Sequence, residues 1–192
     1  MAAGKVTIGF SKPYVAIYTP STQAYSDGQI LARGVGVSAE IESSDDNIFY
    51  ADNQAAESDA GRFTGGTVTL TVDGLQTAAE KLIMGLPTAG EDGWMAYNDD
   101  QAIPYVGIGF IVRYMSDGVE SYTPFIFTKC KFNQIAIDAN TMEDEIDWQT
   151  QELEASVMRG DDAKHTWKWV GASTDTEAAA EKALKTKLGI TP

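Results

Sequence analysis

The sequence predicts a mainly β protein, with a β-sandwich or barrel-like core that carries one packed α-helix and a second helix near the C-terminus. Apolar and polar residues alternate in segments 6–10, 34–41 and 66–72, which is typical of strands with one buried and one wetter face. Only two segments repeat with the helical period of about 3.6 residues. A chain of 192 residues can bury a core without disulfides or metals, so we expect a single domain over residues 1–192.

The clearest hairpin is predicted over residues 105–132. Two runs rich in β-branched and aromatic residues flank Asp117-Gly118, a dipeptide suited to the positive φ angles of a tight turn. Gly107 and Gly109 interrupt the first run, which indicates a bend or the close approach of another backbone. We therefore expect two long antiparallel strands in this part of the chain.

The alternation continues in segments 145–157 and 164–170. In the first of these the apolar phase slips, which predicts a β-bulge near Gln151. His165, the only histidine, is expected at a structural strand position with two tryptophans on its side. No nucleophile or orienting acid accompanies it in the sequence, so a role as general base has no support.

The first helical segment covers residues 75–85. Its apolar residues fall on one stripe, and Thr77 and Glu80 have the spacing of a capping box. Gly85 is a typical stop signal. We therefore expect one short helix packed on the core.

The second helical segment belongs to a C-terminal arm, residues 171–192. Thr174 and Glu177 again have capping-box spacing, acids come early and lysines late, and Gly189 ends the pattern. Its apolar stripe is thin, so the helix would be marginal alone. It needs a surface to lie on, either its own domain's or a neighbour's.

Residues 42–65 are predicted to form a long, irregular, acidic loop. Loops longer than about 12–15 residues in a compact domain are usually functional or disordered. An apolar island at Ile48, Phe49 and Tyr50 favours function, because aromatic side chains on a loop can dock onto a partner.

The acidity of the chain is regional. The sequence has 28 acidic and 14 basic residues, a net charge of −14. Segment 40–62 carries seven acids against one arginine, and segment 138–162 carries nine against one, which accounts for the whole net charge. Affinity for nucleic acid that depends on phosphate neutralisation requires a basic patch, so the composition argues against it.

No catalytic constellation is visible, so we expect no enzyme activity and no cofactor. Zinc sites built from Cys and His ligands are excluded, because the chain has only one cysteine and one histidine. The stretch from Asp138 begins like an EF-hand loop, but Met142 and Glu143 occupy positions where that loop needs Asp or Asn and then Gly. An irregular carboxylate site for calcium is left as an alternative. The glycines of segment 34–39 have dinucleotide-fingerprint spacing but lie within a strand, so the required turn into a helix is missing.

The single cysteine, Cys130, excludes an internal disulfide, and it is expected to be a half-buried strand thiol. The N-terminal residues do not resemble a signal peptide. The most apolar run, residues 105–115, is broken by Arg113 and is far too short to span a membrane. These features predict a soluble protein made in a cytoplasm, without a membrane partner.

Three blocks of sequence occur in a characteristic order. Residues 49–86 contain an acidic loop, a strand and a short helix; residues 105–132 contain the glycine-spaced strand and the hairpin; residues 149–170 contain a strand, a polar turn and a tryptophan-bearing strand. In this order they resemble the major tail proteins, or tail-tube proteins, of long-tailed phages with flexible non-contractile tails. The resemblance covers roughly residues 34–170. It is specific because the three blocks occur in this order, and no single block would be diagnostic.

The resemblance implies the phage tail-tube fold, with closed hexameric rings that stack into a tube in the virion tail. It implies assembly in the host cytoplasm with a tape-measure protein, tail initiator or distal tail proteins and a tail terminator protein. DNA would pass through the channel without specific binding. In such proteins a long loop after an early strand stacks the rings. Residues 42–65 have that position here, and the candidate inter-ring contacts are Phe49, Tyr50, Asp52 and Asn53.

The acidic segments fit this function, because a channel of like charge repels DNA over a Debye length of ~8–10 Å and keeps it sliding. A solvated outer surface would need similar charges, and the sequence leaves the two placements open. The candidates for either placement are Glu143, Glu145, Asp147, Glu152 and Glu154.

An alternative function is a β-sandwich binding module, either a virion decoration or a host-surface adhesin. Its glycan-binding residues would be chosen from Trp94, Trp148, Trp167 and Trp169. A carboxylate hydrolase is a third class, but adjacent acids on a strand point to opposite faces and make poor catalytic partners.

Overall fold

The computed structural model describes residues 4–59, 61–86, 94–141 and 148–191, and the fold is mainly β as predicted. Within these ranges the chain forms ten strands and two helices. In chain order they are β1 (Val6–Thr19), β2 (Ala24–Ile30), β3 (Gly34–Ser43), β4 (Asn47–Ala51), β5 (Gln54–Asp59), β6 (Phe63–Val72), α1 (Thr77–Met84), β7 (Val106–Ser116), β8 (Val119–Phe132), β9 (Gln151–Val157), β10 (Lys168–Val170) and α2 (Glu177–Lys187).

Eight of the strands form one antiparallel sheet in the order β2-β1-β7-β8-β9-β6-β3, with β10 added along β8. The predicted hairpin is confirmed: Asp117 and Gly118 have φ angles of 50° and 78° and connect β7 to β8. On its other side β8 pairs first with β10 and then, through Cys130–Phe132, with β9. Strand β8 therefore joins the two halves of the sheet, whose inner faces share one core.

The sheet curls into a barrel-like wall that stays open along one seam. Strand β3 lies opposite the first half of β1, where a Cβ atom added at Gly34 would be 2.3 Å from the ring of Phe10. Within the described residues, β3 pairs only with β6, and residues 6–11 of β1 pair only with β7. The two strands that border the seam therefore each keep one unpaired edge.

Helix α1 covers one end of this core with Ala79, Ile83 and Met84. The predicted capping box is wrong, because the N-cap is Gln76 and it makes no side-chain cap hydrogen bond. The predicted stop is confirmed: Gly85 has a φ of 63°, and its N–H donates to the carbonyl of Lys81.

Helix α2 lies on its own domain. Its buried residue Leu184 and its C-cap residue Leu188 pack against Tyr14 and Ile126. Its N-cap is Thr176, whose side chain accepts a hydrogen bond from the N–H of Ala179, so the predicted box beginning at Thr174 is wrong. No helix among the described residues is long and apolar enough to cross a membrane.

The glycines of β7 make room for this helix. A Cβ atom at Gly109 would lie 2.9 Å from a methyl group of Leu188, and one at Gly107 would lie 2.4 Å from the ring of Tyr25. The predicted approach of another backbone is therefore wrong, because the atoms that come close belong to the side chains of Tyr25, Leu184 and Leu188.

A polar cluster adds to the apolar contacts of α2. The carboxylate of Glu181 accepts a hydrogen bond from the hydroxyl of Tyr14 at 2.6 Å. It also lies 3.2 Å from the ammonium group of Lys12 and 2.9 Å from that of Lys185. The Tyr14 hydrogen bond, followed by those of the two lysines, outweighs burial and lowers the pKa of Glu181 to about 2.

Two local predictions are wrong near the C-terminal strands. Strand β9 begins at Gln151 and pairs with β6 without a register shift, so the change of apolar phase marks a strand end rather than a bulge. His165 lies in a turn with a φ of 53°, not in a strand. Asp162 holds this turn by accepting a hydrogen bond from the N–H of Thr166 at 2.6 Å.

Cys130 is fully buried in β8 rather than half-buried. Burial raises the pKa of its thiol, because the core disfavours the thiolate. Lys129 and Lys131, which flank Cys130 in the sequence, therefore do not make its thiol reactive.

Candidate assembly surfaces

The segment predicted to be an irregular loop, residues 42–65, is a β-hairpin. Strand β3 continues to Ser43 and β6 starts at Phe63. Between them, β4 and β5 form a separate two-stranded sheet. The prediction is wrong because both strands contain residues of low β propensity, such as Asp, Asn and Glu, so the sequence gives no clear strand signal. The paired strands β3 and β6 nevertheless hold β4 and β5 next to each other.

This hairpin, residues 47–59, is an outward continuation of the β3–β6 pair. The N–H of Ser44 donates to the carbonyl of Arg62 at 2.8 Å, and the N–H of Arg62 donates to the Ser44 hydroxyl at 3.2 Å. The Arg62 guanidinium also lies 2.9 Å from the carboxylate of Asp59. These contacts hold the base of the hairpin.

Asp52 and Asn53, two of the predicted contact residues, form the turn at the tip. Both have left-handed backbones, with φ angles of 51° and 61°. Two consecutive residues of this kind make a type I′ turn, and Asp and Asn adopt such angles more readily than most residues. Both therefore shape the tip through their backbones and remain exposed there.

Phe49 and Tyr50, the other two predicted contacts, are consecutive residues of β4 and are 65% and 63% exposed. None of the described hairpin residues is buried. An isolated two-stranded hairpin is at best marginally stable in water. Two large aromatic side chains that are mostly exposed on such an element are therefore candidates for contact with another molecule.

Glu152 and Glu154 lie on the outer face of β9. They alternate with the buried residues Leu153 and Ala155, so both carboxylates face solvent. Glu143, Glu145 and Asp147 lie outside the residues that the structure describes.

The same outer face continues across the neighbouring strands as a polar surface. Thr71 and Thr69 of β6 pair with Glu152 and Glu154, and Ser38 of β3 pairs with Thr69. Side chains of paired residues share a face, so hydroxyls and carboxylates follow one another from β9 to β3. We call this surface the acidic face.

A polar groove of about 680 Å³ adjoins the acidic face. Asp73 and Asp138 line it together with Glu152 and Glu154. Within the described part of the chain, no three Asp, Glu, His or Cys side chains are grouped closely enough to hold a metal ion.

The tryptophans of the alternative binding function have different environments. Trp167 stacks on Phe63 with ring centroids 4.5 Å apart and packs against the core. Trp169 lies beneath the ammonium group of Lys187, which is 4.1 Å from its ring centroid. Trp94 and Trp148 are largely exposed.

Sequence reasoning missed the apolar residues along the seam. Alternation predicts that Val6, Ile8, Val35 and Ile41 are buried, but these side chains are 62%, 42%, 57% and 40% exposed. No signal in the sequence distinguishes them from core residues, because a strand beside an open seam has the same alternation as a strand in a closed barrel.

No protein-family model matches the chain, and a search of curated proteins found no similar sequence.

Proposed function

We propose that this chain is a structural virion protein, a phage tail-tube subunit that self-assembles into stacked hexameric rings. The exposed hairpin is the observation that carries the proposal. Phe49 and Tyr50 give it an aromatic surface of the kind that dominates binding energy in protein interfaces. A subunit that used this hairpin to contact an identical subunit would bury the residues that its own fold leaves uncovered.

Rings and tubes require head-to-tail interfaces, in which one surface of a subunit binds a different surface of the next. The unpaired edges of β1 and β3 are candidate surfaces for such interfaces, since exposed strand edges can pair with neighbouring chains. The hairpin then provides the contact between successive rings, with Phe49, Tyr50, Asp52 and Asn53 at the boundary.

The acidic face is suited to the wall of the channel. A surface of hydroxyls and carboxylates offers DNA no phosphate contacts, and repulsion keeps the duplex away from the wall. In this arrangement DNA transits without specific binding, and Glu152 and Glu154 point into the bore.

The proposed location is the virion tail, after assembly in the host cytoplasm. The proposed partners are further copies of this chain, a tape-measure protein, tail initiator or distal tail proteins and a tail terminator protein. The chain would contribute no catalysis and need no cofactor.

The test is negative-stain microscopy of the concentrated, purified chain, compared with a variant in which an Asn-Gly turn replaces residues 45–61. Ser44 and Arg62 are already paired across the hairpin base, so the short turn should close without strain. We expect rings or tubes from the natural chain and, from the variant, folded subunits that build no long tubes.

Normal tubes from the shortened variant would contradict the role of the hairpin in stacking. A natural chain that remains monomeric at high concentration and binds a glycan would favour the alternative binding module. Thermal unfolding of both chains shows that any loss of assembly does not come from loss of the fold.

The acidic face can be tested separately in assembled tails. We expect the double variant Glu152→Lys and Glu154→Lys to assemble normally but to slow DNA release, because lysines attract phosphates at the channel wall. Ejection is followed by dye fluorescence of released DNA at several salt concentrations, with Asp175→Lys, at an exposed position before α2, as the control. Unchanged kinetics would mean that the acidic face does not line the channel.

A further inference from the structure

The seam holds an open groove of about 730 Å³. Ile8 and Phe10 of β1 form one wall, and Val35, Val37 and Ala39 of β3 form the other. The walls are apolar, and both Ile8 and Val35 remain partly exposed. The volume lies in the range of pockets that bind whole side chains or small molecules.

The floor of this seam groove is aromatic. The ring of Phe110 lies 5.5 Å from that of Phe10, 5.8 Å from that of Phe125 and 6.1 Å from that of Phe127. Aromatic rings at such separations gain energy from edge and offset contacts beyond the area they bury. A further aromatic side chain could pack against this floor in the same way.

The charge of the seam groove differs from that of the rest of the molecule. Its lining includes Lys168 and no carboxylate, although the chain carries a net charge of −14. The ammonium group of Lys168 lies 4.7 Å from the ring centroid of Trp167 and forms no ion pair with a described carboxylate. An aromatic segment with a negative charge would complement both the floor and the rim.

The β4–β5 hairpin combines an exposed aromatic side chain with a negative charge. Phe49 is paired across the hairpin with Glu57, so the two side chains lie on the same face as neighbours. Phe49 is 65% exposed, so it does not occupy the seam groove of its own chain. The hairpin also lies beyond the end of β3, where it is free to contact another molecule.

We infer that the seam groove binds the hairpin of a second copy of this chain, with Phe49 on the phenylalanine floor and Glu57 paired with Lys168. The inference rests on the proposed function, in which copies of the chain assemble, and it names the surface that receives the hairpin. The unpaired edge of β3 borders the groove and supplies backbone groups to which an incoming strand can add.

The test is a charge exchange measured by sedimentation velocity and negative-stain microscopy. Lys168→Glu and Glu57→Lys each place like charges together, and each should weaken self-association about tenfold. The double variant restores an opposite pair and should recover most of the affinity. A double variant no better than the combined losses of the single variants would overturn the pairing.

An apolar substitution tests the groove itself. Val35→Glu introduces a charge into the seam groove, whereas Val119→Glu introduces the same charge at another exposed valine, the first residue of β8. We expect the first variant to build no long tubes and the second to build them normally. All four substituted positions are exposed, so the variants should fold, which thermal unfolding verifies.

The outcomes separate the two proposals. Rings or tubes that form normally from Val35→Glu and Lys168→Glu would overturn the seam groove as the receiving surface and leave the tail-tube function standing. A natural chain that never self-associates would overturn both.

Discussion

Helix α2 and the β4–β5 hairpin contrast in how their apolar residues are used. The helix has few apolar residues, yet Leu184 and Leu188 are almost completely buried. The hairpin carries Phe49 and Tyr50, yet both remain mostly exposed. Burial is therefore decided by whether the chain provides a matching surface, and hydrophobic content alone does not decide it.

The matching surface of α2 is built from several distant parts of the chain. Gly107 and Gly109 leave space for its leucines, and Tyr14 supplies both a ring and a hydroxyl. The hairpin meets no such surface among the described residues and is stabilised by its own ladder and base contacts. The apolar residues of the helix are thus covered within the subunit, whereas the two aromatic side chains of the hairpin stay exposed.

The largest effect on the stability of the subunit is expected at the α2 contact. Leu188→Ala should lower the free energy of unfolding by about 2–5 kcal/mol, because it removes a fully buried side chain and leaves a cavity above Gly107 and Gly109. Urea denaturation gives the value. Lys182→Ala, at an exposed position of the same helix, is the control and should change little. Similar small losses from both variants would mean that α2 is only loosely attached.

A smaller effect on the stability of the subunit is expected when the pH is lowered and Glu181 is protonated. The pKa of Glu181 is lowered from 4.5 to about 2 in the folded chain, mainly by the hydrogen bond from Tyr14. The stability that this group contributes is therefore fully present above about pH 4.5 and is lost as the pH falls towards 2. Melting temperature measured against pH should fall more gently in this window for Glu181→Gln than for the natural chain. Parallel curves would show that the cluster does not hold the helix.

The smallest effect on the subunit is expected in the hairpin. Phe49→Ser should change the free energy of unfolding by less than about 0.5 kcal/mol, because the ring is 65% exposed and loses little burial. Phe132→Ser, at a buried position in β8, is the matched control and should cost about 3–5 kcal/mol, by analogy with Phe→Ala. Both are measured by denaturant unfolding at concentrations too low for assembly. A large loss from Phe49→Ser would mean that the ring is buried within the subunit.

Much of the fold follows from local patterns that tertiary structure did not override. Asp117-Gly118 connects the two long strands, and Gly85 ends α1, because both positions require left-handed backbones that glycine adopts without steric cost. The central part of β9 also follows the alternation, with Glu152 and Glu154 facing solvent. At these positions the local requirement and the final environment agree.

The candidate assembly surfaces were harder to predict from the sequence than the turns and strands. Phe49, Tyr50, Asp52 and Asn53 were identified by composition and resemblance, but composition concealed the strands that bring them together. The seam groove could not be predicted, because its walls come from segments 6–10 and 34–39, whose alternation resembles that of core strands. Only the path of the curled sheet shows that these strands face each other without pairing.

The amino-acid sequence by itself determined that the protein is mainly β, where its clearest turns lie and which segments carry its negative charge, since these depend on neighbouring residues. Tertiary structure alone decided that α2 is covered, that the hairpin is exposed and that the seam is open. These outcomes depend on contacts between residues far apart in the chain. The physical reason is that burial requires a complementary surface, and such a surface exists only after the sheet has curled.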